Sequence, residues 1–301
     1  MNRKHKIFVI LNPAARGERA KALRDKIASL SHHVLVRSTS SPGDARGLAA
    51  RAVSQGYGTI VAAGGDGTIN EVVNGIGGAG AAVQFGILPV GTMNVFAAEL
   101  GIPQNNLAKA WQVIEAGYSR LVDLPQANHE YFVQLAGVGL DAEVVRQTTP
   151  DSKKVLGPMS YLLTLAQVAA RQPPKICIEP VDGAAREGSF VLVGNGRFYG
   201  GPFVVFKDAR LDDGLLDVLV FQNQSHWDLI RYFQAIAFGN HPALPDVEYF
   251  QSRGLRLTSR EPVPVEIDGE LTGTLPYEFG FSNGKLKVLV PSKLDTENKS
   301  A

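Results

Sequence analysis

An α/β domain built on a mostly parallel sheet, followed by an antiparallel β-sandwich, is the architecture this sequence predicts. Three observations predict it. Through the first 125 residues, apolar runs of strand length alternate with amphipathic stretches, the pattern of parallel strands covered by helices on both faces. From Ala127 onward, short β-rich runs separated by turn residues replace that alternation, which is the texture of a sandwich or barrel. The segment Thr59–Val73 joins an apolar, β-branched run to a glycine turn and then to a helical pattern, fixing the strand-to-helix polarity of the first domain. The expected division is 1–125, 126–292 and a polar tail, 293–301.

Taken in order, Lys6–Leu11 reads as a buried strand ending at Asn12-Pro13, Ala14–Leu30 as a helix, and Val34–Arg37 as the second strand. A helix over Ala45–Gln55 follows the turn residues Ser40–Asp44, and Thr59–Ala63 is the third strand. After the glycine turn a helix begins at Thr68 or Ile69, Gly75–Gly80 connects, and Phe85–Pro89 is the fourth strand. A helix over Asn106–Glu115 and a strand at Arg120–Leu124, with Asp123 near its end, close the domain. In such sheets ligands bind beyond the carboxyl ends of the strands. Asn12-Pro13, Thr39 and Gly64–Asn70 fall at that edge, so they could line one crevice.

The second half reads as strands at Tyr131–Ala136, Lys175–Glu179, Ser189–Gly194, Leu216–Phe221, Gly254–Ser259, Val263–Asp268, Tyr277–Phe281 and Lys285–Val290. Asp182-Gly183, Asp213-Gly214, Asp268-Gly269 and Asn283-Gly284 are expected turns. Helical inserts are expected at Gly157–Ala170 and Ser225–Phe238.

Composition excludes several classes. A net charge of +1 over 301 residues is not that of a nucleic-acid binder. The single cysteine, Cys177, excludes an internal disulfide framework and a cysteine-rich zinc site. Met1–Lys6 leads directly into a strand-length run and no apolar stretch reaches the length of a membrane span, so a cytoplasmic protein that touches membranes only transiently is expected.

The chemistry concentrates in four segments. In Gly64-Gly65-Asp66-Gly67-Thr68-Ile69-Asn70, glycines let the backbone approach an anion and the first free N–H groups of a helix point at it. A bare carboxylate would repel phosphate, so Asp66 points to a divalent cation or a water network between the two. Asn70 stands where a dinucleotide fingerprint needs its third glycine, and no Walker-type P-loop occurs; a plain strand-to-helix turn is the alternative. A second Gly-Thr-x-Asn turn, Gly91-Thr92-Met93-Asn94, lies at the same sheet edge, with helix capping by Thr92 or Asn94 as its ordinary explanation. Lys207–Asp217 crowds acids around Asp213-Gly214, fit for Mg²⁺ or Ca²⁺ or simply a solvated hairpin. Val265-Glu266-Ile267-Asp268-Gly269-Glu270 carries Asp268 to the end of an alternating strand, where it is either a general base or part of a β-turn. His5, His32, His33, His129, His226 and His241 show no ligand spacing beyond the adjacent pair His32-His33 near a strand start, and are expected at the surface. Gly194–Gly201 could line a pocket or form a loop, and Met159–Ala170 is a packed or a lipid-facing helix. A G-x-S-x-G elbow and the protein-kinase motifs are both missing from the sequence.

Asn12-Pro13, Gly64–Thr68, Pro89–Asn94, Asn195 with Gly200-Gly201, Leu211–Asp217 and Asp268-Gly269-Glu270 occur in the order seen in the diacylglycerol kinase catalytic-domain family. Over nearly its whole length the chain resembles the soluble bacterial lipid kinases of that family. The resemblance implies a first domain similar to NAD kinases and phosphofructokinases, a β-sandwich second domain, and an active site between them. It implies an ATP- and Mg²⁺-dependent lipid kinase acting on a diacylglycerol-like hydroxyl at a membrane surface. Thr39, Gly64, Gly65, Asp66, Gly67, Thr68, Ile69, Asn70 and Thr92 would contact nucleotide, with Asn12, Gly91, Asn94 and Glu270 in the same set. The Asp213 side chain and the Arg210 and Leu215 carbonyls would hold Mg²⁺, linked through water toward Asp66. Asp268 would be the catalytic base and Asp123 its acidic neighbourhood. Val95 departs from the Asp that many members carry there. A soluble acceptor (NAD or a sugar phosphate) and a non-catalytic nucleotide- or lipid-binding member are the other readings, and a homodimer is left open.

Overall fold

β-branched and alanine-rich runs set the first sheet. The computed structural model describes residues 7–13, 25, 27, 29, 33–147, 173–201 and 203–292. The rest of the expected helix Ala14–Leu30, the helix Gly157–Ala170, the tail 293–301, His5 and His32 lie outside the described residues. By contacts the chain forms two units: Met1–Leu124 with Gly200–Pro202 and Ser282–Ala301, and Pro125–Tyr199 with Phe203–Phe281.

In the first unit β1 (Ile7–Leu11), β2 (Val34–Ser38), β3 (Thr59–Gly64) and β4 (Gln84–Pro89) pair in parallel in the order β2-β1-β3-β4. Every residue of β3 is buried, as expected of a strand covered on both faces. The covering helices follow their apolar stripes. Helix α1 (Asp44–Ser54) buries Ala45, Ala49 and Ala52. Helix α2 (Asp66–Ile76) buries Ile69, Val72, Val73 and Ile76. A short α3 (Val95–Glu99) precedes α4 (Leu107–Ala116), which buries Ala110, Trp111, Val113 and Ile114. Strand β5 (Ser119–Ala127) follows. Helix α2 begins at Asp66 rather than Thr68 or Ile69, because Gly65 takes the N-cap position with extended backbone and the ladder starts with Ile69 N–H on the Gly65 carbonyl, 3.1 Å.

The second unit begins with β6 (Glu130–Tyr131), β7 (Leu135–Val138) and helix α5 (Leu140–Gln147). β8 (Ile176–Pro180), β9 (Arg186–Gly188), β10 (Phe190–Gly194), β11 (Phe198–Tyr199), β12 (Phe203–Val204) and β13 (Leu216–Phe221) follow. Helix α6 (His226–Phe238), β14 (Val247–Ser252), β15 (Leu255–Ser259), β16 (Pro264–Ile267) and β17 (Glu270–Thr274) complete it. An antiparallel sheet runs β14-β13-β10-β7-β16-β17, and β15 and β8 pair antiparallel beside it in sequence but in another sheet. The two sheets share a core. Val191, Val193, Val218 and Val265 from the first pack with Ile176, Ile178, Leu255 and Leu257 from the second. The intervening residues Phe190, Leu192, Leu219 and Phe221 point to the opposite face, where Leu140 and Val144 of α5 and Leu229 and Tyr232 of α6 cover them. Period-two alternation therefore feeds two cores rather than a core and solvent. His241 corrects the surface expectation for histidines: it is fully buried, with Nε2 2.7 Å from the Val205 carbonyl.

The final strand, β18 (Tyr277–Leu289), corrects two expectations. Asn283-Gly284 lies inside it and makes no turn. Its first half pairs antiparallel with β15, Leu255 opposite Phe279, within the second unit. Its second half pairs in parallel with β4, Lys287 opposite Gln84, within the first. Pairing on both halves overrides the local Asn-Gly preference, and residues 282–292 therefore belong with the first unit rather than the second.

Candidate functional site

The two Gly-Thr-x-Asn turns meet in the first unit. A Cβ added to Gly91 would lie 2.4 Å from the Gly65 Cα and 2.9 Å from Asn94 Oδ1, so the turns pack backbone against backbone and only glycine fits. A Cβ on Gly64 would fall 2.4 Å from Thr68 Oγ1. Asn12 Nδ2 donates to Thr68 Oγ1 at 3.1 Å, and the Asn12 amide donates to the Ala63 carbonyl at 3.0 Å. The Thr39 amide donates to the Leu11 carbonyl at 2.9 Å, which sets Thr39 at the same carboxyl-terminal edge. Asn94 does not cap α3 with its side chain. It sits in the left-handed region at φ 50°, accepts the Gly91 amide at 3.0 Å and returns a 2.9 Å bond to the Gly91 carbonyl. Thr92 is exposed.

Asp66 occupies the first turn of α2, where Gly67 and Thr68 also precede the helical ladder. Its carboxylate accepts the Phe96 amide at 3.4 Å and is also bonded by the amides of Val95 and Asn94. Burial raises its pKa above the ordinary carboxylate range, against those amide bonds, which favour the charged form. The carboxylate that looked unmatched beside a phosphate cradle thus faces the start of α3. Asp123 is buried and forms an ion pair with Lys285, Oδ1 to Nζ 2.7 Å, also within the first unit.

In the second unit Asp268 and Gly269 form the two-residue loop between β16 and β17, with φ 48° and 88°. Two left-handed residues in succession make the type I′ geometry favoured for hairpins. The Asp268 carboxylate does more than turn the chain. Oδ2 accepts the Val133 amide at 2.9 Å, and Oδ1 accepts the Gln134 and Leu135 amides at 3.0 and 3.1 Å. From the other side Asn195 Nδ2 donates to the Val133 carbonyl at 3.1 Å, and the Asn195 amide to the Gln134 carbonyl at 2.9 Å. The peptide 133–135 is therefore held through its N–H groups by the Asp268 carboxylate, through the Val133 and Gln134 carbonyls by Asn195, and through the Leu135 carbonyl by the Asp268 amide at 2.8 Å. That clasp explains why the strand expected over Tyr131–Ala136 is broken between β6 and β7. Glu270 lies on the exposed side of the same hairpin.

Beneath that hairpin lies a pair the sequence did not single out. Glu266 of β16 is buried and Asp141 of α5 half-buried, and their carboxyl groups face each other beside Gly137. Asp141 Oδ2 and Glu266 Oε1 have no other partner, and a Cβ on Gly137 would lie 2.2 Å and 2.7 Å from them respectively. The Tyr199 hydroxyl donates to Asp141 Oδ1, and the Gly269 amide donates to Glu266 Oε2 at 2.7 Å. Burial raises both carboxyl pKa values, that of Glu266 well above its usual range, where the neighbouring Asp141 adds to the effect.

Comparison with known proteins identifies the family of both units. Residues 6–127 match the diacylglycerol kinase catalytic domain, and residues 134–290 match the YegS C-terminal NAD kinase beta sandwich-like domain. The chain is 30% identical to a diacylglycerol kinase of Bacillus subtilis (strain 168), covering 95% of this chain and 96% of that one. The chain belongs to the diacylglycerol kinase family. A diacylglycerol kinase of Staphylococcus aureus (strain MRSA252) is likewise 30% identical, over 96% of this chain and 93% of its own. The crystal structure of a diacylglycerol kinase from Bacillus anthracis str. Sterne shares the fold, with a TM-score of 0.78 at 24% identity over 96% and 98% of the two chains. Another solved structure from that organism reaches a TM-score of 0.80 at 27% identity, over 95% of each chain. No helix among the described residues is long and apolar enough to cross a membrane.

The acidic turn, where the sequence resemblance leads one to expect Mg²⁺, presents oxygen donors from Asp213 and the backbone. Asp213 is exposed, its Oδ1 accepting the Leu215 amide at 3.0 Å, and it stands near the carbonyls of Arg210 and Leu215 in sequence. Arg210 pairs loosely with Asp212 at 3.6 Å. Asp217 is buried with Oδ2 unpartnered, and its carboxyl pKa is pushed up to about 6 by burial and by the charges of Asp213 and Asp208. Oxygen donors with uncompensated negative charge suit Mg²⁺ or Ca²⁺. Among the described residues no three acidic, histidine or cysteine side chains converge on one point; carbonyl oxygens would have to complete the shell.

Proposed function

We propose that this chain transfers the γ-phosphoryl group of ATP to the hydroxyl of a diacylglycerol-like lipid. The observation that carries the reading is the backbone contact of the Gly64–Thr68 and Gly91–Asn94 turns, which forms one glycine-lined rim at the carboxyl ends of parallel strands. In this reading the amides of Asp66, Gly67 and Thr68 receive phosphate oxygens at the start of α2, with Asn12, Thr39, Ile69, Asn70, Thr92 and Glu270 contributing to nucleotide binding. Asp268 accepts the acceptor hydroxyl's proton as the bond to phosphorus forms. Its carboxylate is already oriented by three backbone amides, which fixes a base before substrate arrives. Asp66 and Asp123 form the acidic neighbourhood of the reaction in this reading, with the charge of Asp123 matched by Lys285. Mg²⁺ held by Asp213 and the Arg210 and Leu215 carbonyls would supply electrostatic order to the acidic turn.

The lipid, rather than a soluble hydroxyl, is favoured by the relatives' shared name and by the outer face of α6. There Trp227 and Phe238 are 80% and 83% exposed, with Ile230 and Phe233 between them, a surface suited to the headgroup boundary of a bilayer. Such contact is weak and reversible, in keeping with a cytoplasmic protein. The test is incubation of purified protein with labelled ATP, Mg²⁺ and a lipid panel in mixed micelles, beside NAD and sugar phosphates. Label should enter a lipid. Efficient phosphorylation of a soluble acceptor, with none of any lipid, would overturn the reading.

A further inference from the structure

Two carboxyl groups buried in contact cannot both be charged without large cost. The facing oxygens of Asp141 and Glu266 are shut off from solvent and meet this condition; among the described residues the groups facing the pair are the Tyr199 hydroxyl from β11, the Gly269 amide and the Asp268 carboxylate at the turn. Their facing oxygens, Asp141 Oδ2 and Glu266 Oε1, crowd the bare Cα of Gly137 and are otherwise unpartnered. Two acceptors placed in this way need a hydrogen between them. The remaining oxygens are already used, Asp141 Oδ1 by Tyr199 and Glu266 Oε2 by Gly269.

We propose that Asp141 and Glu266 share one proton and through it clamp the Asp268-Gly269 turn to helix α5, so that loss of this proton loosens the turn. The groups follow one another: Tyr199 bonds Asp141, Asp141 Oδ2 and Glu266 Oε1 face each other over Gly137, and Glu266 bonds the Gly269 amide, with Asp268 one residue away holding the peptide 133–135. Glu266 and Asp141 are positioning residues. The catalytic consequence rests on the reading of Asp268 as proton acceptor, whereas the clamp itself does not.

The sign follows from linkage. An acid whose folded-state affinity for the proton is raised keeps it in a range where the unfolded chain has lost it. Stability is then greatest below the ordinary carboxylate range and falls as pH rises through the window up to the raised value. For one proton the unfolding constant should grow up to about tenfold per pH unit in that window. Glu266→Gln is the discriminating variant. Its carbonyl can still accept the Gly269 amide, and its NH₂ donates permanently to Asp141 Oδ2. Asp141→Asn offers the mirror arrangement and serves if the first variant folds poorly.

The experiment follows denaturant unfolding from pH 4.5 to 9, together with hydrogen-exchange protection of the Gly269 amide, on the full chain and both variants. The natural chain should show the falling limb and a parallel loss of Gly269 protection, and the amide variants should lose both dependences. Equal pH slopes in all three proteins would overturn the proposal. Turnover of Glu266→Gln should persist into the alkaline range where that of the natural chain declines; identical alkaline limbs would overturn the catalytic consequence. Should Asp268→Asn retain normal turnover, the base reading fails, and the unfolding slopes still decide the clamp.

Discussion

Replacing Asp268 with Asn separates its two duties. Asn presents one oxygen, which can keep the bonds from the Gln134 and Leu135 amides now made to Oδ1 at 3.0 and 3.1 Å. Its NH₂ must then face the Val133 amide, which donates to Oδ2 at 2.9 Å, so one charge-assisted bond is lost and two donors confront each other. A hydrogen bond to a charged group contributes about 1.5–3 kcal/mol. For a unit of this size that corresponds to a midpoint lower by roughly 3–12 °C. Removal of a general base costs about 10²–10⁴-fold in kcat. The two effects are read apart by measuring ATP binding calorimetrically and turnover in mixed micelles, on one preparation, well below the variant's melting midpoint. ATP affinity should change little, because the proposed nucleotide contacts lie mainly in the first unit. Turnover within about threefold of the natural chain, despite the lower midpoint, would remove Asp268 from the chemistry and leave it a structural clasp.

Other substitutions probe the first unit and the acidic turn. Gly91→Ala forces a methyl to 2.4 Å from the Gly65 Cα; overpacking of that kind costs about 1–3 kcal/mol, so both the melting midpoint and ATP affinity should fall, while Gly78→Ala, with nothing within 4 Å, should change neither. Asp213→Ala should lower bound Mg²⁺ and turnover together, measured by metal analysis and kinetics, with Asp66→Ala costing more turnover; unchanged metal content would make the turn a plain solvated one. The Asp44 carboxyl pKa is held down to about 2 by the Ser40 hydroxyl and the Ser40 and Ser41 amides. Its contribution to stability is present above the unfolded value of about 3.9 and is lost as pH falls through the lower one. Asp44→Ala should therefore flatten the loss of stability in acid, followed by denaturant midpoints across that range.

The first sheet was legible because its central strands are buried apolar runs closed by turn chemistry, as in Thr59–Gly64 followed by Gly65. The meeting of the two glycine turns was legible as an expectation, since both occupy carboxyl ends of neighbouring strands. From sequence Asp66 faces phosphate or metal, whereas the α3 amides it accepts come from a helix only five residues long, too short to announce itself by periodicity. The buried acid pair was illegible for another reason. Glu266 alternates with Val265 and Ile267 as a solvent-facing residue would, and its partner Asp141 lies 125 positions earlier in a helix of only eight residues. Asn283-Gly284 misled because turn preference is local, whereas the partners of β18 are set by the whole fold.

The pairing of β18 with β4 has a consequence for synthesis. Strand β4 ends at Pro89, and the residues that cover its open edge, Lys287 and Val288, come almost 200 positions later. At a ribosomal rate of roughly 5–20 residues per second, the nascent chain carries that apolar, unpaired edge for about 10–40 s before its partner emerges. Such an edge is a template for pairing with other chains. The first unit is thus the first to be made and among the last to be finished, and a fragment ending near residue 125 would leave it permanently unfinished.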